Sequence, residues 1–143
     1  MKLFTSISGI VRIIACWAFV LGLLNLANIL ILTGAVELYT NEFGNQMQVW
    51  LILLLDIIFG LGFFISGYGL WTHKSWGRTL FLWFITAWAA FNIIGLVISI
   101  EQYDLGALVV NMLRFVITLL IPLWYLHRPQ VKAFFAENNS LGE

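Results

Sequence analysis

The stretch VWLILLLDIIFGLGFFISGYGLW, Val49 to Trp71, decides the fold. It is longer than the roughly 20 residues that cross about 30 Å of hydrocarbon. It carries one ionisable side chain, Asp56. A carboxylate at that depth needs a partner, a cavity or a proton. The other ionisable residue deep inside an apolar run is Arg114, of opposite sign. The pair is expected to sit at one height in a membrane bundle.

Composition sets the solvent. The chain has 143 residues, of which 62% are hydrophobic and 10% charged, against roughly a quarter charged in soluble domains. A single membrane domain over residues 1–143 follows. The formal net charge is zero, so nothing in the total draws the chain to nucleic acid. The lone cysteine, Cys16, excludes an intramolecular disulfide and a cysteine-based metal cluster. It reads as a small packing residue.

Four apolar runs are expected to span, at about residues 10–35, 49–71, 77–100 and 105–126. The first is too long for a signal-peptide core of about 7–15 residues and is read as a retained helix. Along it Ala15, Ala18, Gly22 and Asn25 form one stripe, of the kind that lets helices approach closely in lipid. On the second, Asp56, Gly60, Phe63 and Gly67 share a face, with Gly62 and Ser66 as a further small pair. The short turn after Trp71 predicts an antiparallel hairpin with the third run. That third run is rich in aromatics (Phe81, Trp83, Phe84, Trp88, Phe91), read as lipid-facing or core packing. The fourth presents Ala107, Asn111, Arg114 and Thr118 along one stripe, and Pro122 predicts a kink. In the tail, residues 127–143, Val131, Phe134 and Phe135 oppose Lys132, which predicts a helix lying on the membrane surface.

Charge orients these runs. Lys2, Arg12, Lys74, Arg78, Arg128 and Lys132 fall on one side, and Glu37, Glu42, Glu101 and Asp104 on the other. The positive-inside rule then places both termini and the middle turn in the cytoplasm. The expected architecture is all-α: a four-transmembrane-helix up-down bundle, N-in and C-in, in a bacterial cytoplasmic (inner) membrane. Its first partner is the lipid bilayer.

With these boundaries Asp56 and Arg114 lie about 10–14 Å below the outer surface. Asn25, Asn28, Asn92 and Asn111 fall within about one helical turn of that level. Polar groups in lipid must satisfy one another, so all six should converge. One reading is a structural Asp56–Arg114 pair solvated by asparagine amides. The other is a site for a proton, an ion or a small ligand. In an up-down bundle the second and fourth helices are diagonal, so contact depends on the reach of the arginine.

No chemistry-bearing motif accompanies this layer. His73 and His127 lie outside the spans, where axial haem ligation is excluded, and both read as polar residues at helix ends. There is no C-x-x-C, no H-E-x-x-H and no glycine-rich phosphate loop. No metal, cofactor or catalytic residue is expected.

The turn Gly69-Leu70-Trp71-Thr72-His73-Lys74-Ser75-Trp76-Gly77-Arg78 resembles a pattern in small bacterial four-helix membrane proteins of uncharacterised function, whose third helix also opens with Trp-Gly/Ala-Arg. The tail from Tyr125 to Phe135, with Arg128-Pro129-Gln130-Val131-Lys132, is similar to the ends of some of them. The resemblance implies a fold and a bacterial-type membrane, and no activity. Four-helix multidrug exporters are similar in size but place an acidic residue in the first span, where this chain has none. The leading expectation is a non-enzymatic accessory or assembly subunit of a larger membrane-protein partner, or a small homo-oligomer. The alternative is a small transporter or channel component that uses Asp56 and its asparagine neighbours.

Overall fold

Backbone polar groups have no water to bond in hydrocarbon, so an apolar chain of this kind resolves into helices. The structure, a computed structural model, describes residues 2–34, 46–98 and 105–140. They form five helices: α1 (Lys2–Gly34), α2 (Gln46–Trp71), α3 (Ser75–Ile98), α4 (Leu105–His127) and α5 (Pro129–Ser140). Three contain segments long and apolar enough to cross a membrane, at Ile7–Ile31, Trp50–Trp71 and Ser75–Ile94. The described part of α4 adds a shorter apolar segment, Phe115–His127, with Pro122 inside the helix. The acidic residues Glu37, Glu42, Glu101 and Asp104, and the side chains of Asn111 and Arg114, lie outside the described residues.

Small residues set the spacing of the first two helices, which form the most extensive helix pair. Ala15, Ala18, Gly22 and Asn25 are all buried; of these, Gly22 faces Gly60 and Ala18 faces Gly67 of α2. A Cβ on Gly22 would lie 2.9 Å from the Phe64 ring and 3.0 Å from the Gly60 carbonyl oxygen. One on Gly60 would lie 2.8 Å from Leu26. The other side of α2 takes the aromatics of α3. A side chain at Gly62 would collide with the Phe84 ring, and Phe63 is fully buried beside Phe81, Phe84 and Trp88. Trp83, by contrast, is 72% exposed. The aromatic set of α3 is thus divided between core and outer surface.

The α2–α3 hairpin closes on a glycine pair from the turn singled out above. A Cβ on Gly69 would sit 2.5 Å from the Gly77 Cα, so the two backbones touch. Helix α2 ends in a Schellman motif. Lys74 N–H donates to the Gly69 carbonyl at 2.9 Å and His73 N–H to the Leu70 carbonyl at 3.0 Å. The left-handed position, which glycine usually fills, belongs to His73 with φ of 57°. The imidazole compensates. Its Nε2 is hydrogen-bonded to Ser8 Oγ at 3.1 Å, and its ring meets Phe134 edge-on at 5.2 Å. His73 is therefore a tertiary joint between α1, the hairpin and α5, beyond the helix-end role read from sequence.

Helix α5 starts with Pro129 in its first turn, where proline's fixed φ and missing N–H cost nothing. Its apolar face differs from the expectation of a membrane-surface helix. Val131, Phe134 and Phe135 are buried with Val11, Leu70 and Leu126, while Lys132 is exposed. Arg78 ties α3 to the end of α4 by donating from Nη1 to the Leu126 carbonyl at 3.2 Å. This end of the molecule is closely packed and basic.

Two outcomes are expected. Gly77→Ala should cost about 1–3 kcal/mol, the usual scale for forcing atoms into a filled site. Gly9→Ala, with nothing within 4 Å of the added carbon, should leave thermal unfolding in detergent unchanged or slightly improved. Equal melting of Gly77→Ala and the parent protein would rule out the backbone contact. The second outcome concerns pH. Burial, and secondarily the Arg12 charge, lower the His73 pKa below 6.5. The unfolded chain then binds this proton more readily, so His73's contribution is complete above pH 6.5 and declines as the pH falls below it. His73→Asn, which tolerates the left-handed backbone, should flatten stability over that range. An unchanged acid slope in that variant would assign the effect elsewhere.

Candidate functional site

At the other end of the helices the packing opens. Helices α1 and α2 run antiparallel, so their contact at Gly22 and Gly60 brings Asn28 and Asp56 level, one to two turns further along. Asn28 Nδ2 donates to Asp56 Oδ2 at 2.7 Å, a short charge-assisted bond. Among the described residues this amide is the hydrogen-bond partner of Asp56. The expected pairing of Asp56 with Arg114 involves a side chain that lies outside them.

The other asparagines behave differently. Asn25 Nδ2 donates to the Leu21 carbonyl at 2.7 Å, and Asn92 Nδ2 to the Trp88 carbonyl at 2.8 Å. Each amide thus spends one N–H on its own helix and keeps its oxygen as an acceptor. Thr118 of α4 is buried. It belonged to the sequence stripe of α4 but stood outside the expected site.

These groups border one space. Among the described residues helix α4 packs sparsely on its neighbours, and a cavity of about 760 Å³ lies among α1, α2, α3 and α4. Asn25, Asn28, Asp56, Asn92 and Thr118 supply its polar lining. Four of the six expected site residues therefore meet around a common volume. Aromatic rings make up much of the wall: Trp17, Phe59, Trp88, Phe91 and Phe115. Trp88 and Phe115 stack across the α3–α4 boundary with centroids 6.4 Å apart and planes at 17°. Of these rings, the sequence reading assigns Trp88 and Phe91 to core packing or lipid and does not single out Trp17, Phe59 or Phe115. One signal was present: Trp88, Phe91 and Asn92 are spaced three and four residues apart, which places rings and amide on one face of α3.

Asp56 is the one ionisable residue among the described lining residues. No group of three or more His, Cys, Asp or Glu able to hold a metal occurs among the described residues. A lone carboxylate held by an amide, beside amide oxygens and aromatic faces, can bind a polar group or exchange a proton.

Replacing Asn28 by Ala should cost roughly 0.6–2 kcal/mol, the range measured for hydrogen bonds between membrane helices. In a double-mutant cycle with Asp56→Ala that loss should largely vanish once Asp56 is gone. Strict additivity of the two losses would show that the amide and carboxylate are not coupled.

The chain matches no protein-family model, no curated protein and no solved structure.

Proposed function

We propose that this chain is a non-enzymatic multi-pass membrane protein whose polar layer is a binding site for a small molecule, in the manner of a small transporter or carrier component. The proposal includes a four-helix bundle with both termini on the cytoplasmic side of a bacterial-type inner membrane. The positive-inside asymmetry supports that orientation. Labelling of a cysteine placed at Lys74 from outside intact cells would overturn it.

The cavity supports the binding reading over a purely structural one. A polar layer that exists to fix helix register satisfies itself and closes. Here polar side chains from four helices border about 760 Å³, within the 300–1,000 Å³ or so of small-molecule sites. Asp56 is the anchor, oriented by Asn28. Asn25, Asn92 and Thr118 are positioning groups, and the rings give bulk contact. Arg114 and Asn111, on the α4 stripe with Thr118, belong to the proposed layer as sequence candidates.

A second reading, an accessory subunit or homo-oligomer, draws support from α4. Val110, Leu113, Ile117, Ile121 and Trp124 form an exposed apolar stripe on this sparsely packed helix. Another span could complete it.

One experiment separates the readings. The protein is extracted in mild detergent and examined by native mass spectrometry. A bound small molecule that is lost in Asp56→Asn, with the melting temperature retained, is the expected result. A stoichiometric larger protein in place of the small molecule would favour the accessory role. Loss of stability in Asp56→Asn, with no ligand on the parent protein, would return the layer to a structural pair.

A further inference from the structure

We infer that the basic end of the molecule holds the headgroup phosphate of an anionic phospholipid, at a site formed where the start of α3 meets the α4–α5 junction. The inference rests on the membrane reading of the chain and is independent of the cavity. Two segments singled out in the sequence, Gly69 to Arg78 and Tyr125 to Phe135, come together here. Arg78, in the first turn of α3, donates from Nη1 to the Leu126 carbonyl at 3.2 Å. Its Nε is buried and has no hydrogen-bond partner among the described residues. A buried donor on a charged group calls for an acceptor. Arg128 lies two residues beyond Leu126, with its guanidinium carbon 3.6 Å from the centroid of the Trp124 ring. Stacking occupies the face of the guanidinium and leaves its N–H edge for an anion. Lys132 is exposed one turn along α5, where its backbone N–H donates to the Arg128 carbonyl.

Charge at this end is one-sided. Among the described residues, Arg12, Lys74, Arg78, Arg128 and Lys132 are opposed there by Glu137. Lys2 and Glu143, whose side chains lie outside the described residues, cancel. A phosphodiester supplies the missing negative charge and acceptor oxygens. The neighbouring surface selects a lipid over a free phosphate. A shallow apolar groove runs from the site along α4, lined by Leu120, Ile121, Leu123, Trp124 and His127. Trp124 is shared, since its ring carries Arg128 and also walls the groove. A lipid with its phosphate on the arginines lays its acyl chains along that groove.

The test is native mass spectrometry of the full chain in mild detergent, titrated with phosphatidylglycerol and phosphatidylcholine of identical chains. Phosphatidylglycerol is expected to bind about fivefold or more tighter, the scale of one basic residue at an anionic membrane surface. Arg128→Gln should remove most of that preference. Lys132→Gln, at an exposed side chain, should reduce it, which keeps the inference testable if Arg128→Gln fails to fold. Arg12→Gln removes the same charge from α1 and should leave the preference intact. Equal losses in all three variants would replace the site by diffuse attraction and overturn the inference. Equal binding of the two lipids to the parent protein would overturn it outright. Glycerophosphoglycerol, the same headgroup without chains, should not displace the lipid at matching concentration. Displacement would sink the lipid assignment and leave a site for a free phosphate ester.

Discussion

The hydrogen bond from Asn28 to Asp56 depends on how closely α1 and α2 approach. An amide and a carboxylate on two helices meet at 2.7 Å only if the backbones between them are near each other. Gly22 and Gly60 provide that, since a β-carbon on either would strike the opposite helix. Small residues in the apolar run and the polar residues beyond it are thus one device. In lipid the hydrophobic effect does not draw helices together, so close van der Waals packing and interhelical hydrogen bonds must.

The two ends of the molecule are built differently, and the contrast explains where the cavity lies. At the basic end, Gly69 against Gly77, the Schellman cap at His73, Arg78 on the Leu126 carbonyl and the buried face of α5 fix the helices to one another. Among the described residues α4 makes few contacts with the other helices. A helix held firmly at one end and sparsely along the rest can stand away from its neighbours. Asparagine and aromatic side chains then border the space that results.

The helical runs were legible because their cause is local: backbone groups in an apolar chain must bond within the helix. The stripe Ala15, Ala18, Gly22 and Asn25 was legible too, since small side chains at that spacing serve close contact. The partners were not. The turn from Gly69 to Arg78 stood out as a pattern, yet its reason is a contact between Gly69 and Gly77 across the hairpin. The apolar faces of α5 and α3 pose a deeper difficulty. In water an apolar face points to a core, whereas in a membrane it fits lipid and core equally. Periodicity alone therefore could not separate Phe135, which is buried, from Trp83, which is exposed.

The same ambiguity sets the weight of Asp56. An apolar residue in a membrane protein can face anywhere, but a carboxylate cannot, because lipid offers it no donor. Its position restricts the rotation of α2, and Asn28 restricts α1 in turn. One amide occupies one carboxylate oxygen and leaves further lone pairs. In a closed core those lone pairs would be an expense with no return, and a tightly packed apolar pair would serve the fold as well. Beside a cavity they have a use, because an incoming donor can be satisfied there. That use is the physical argument for the proposed binding site.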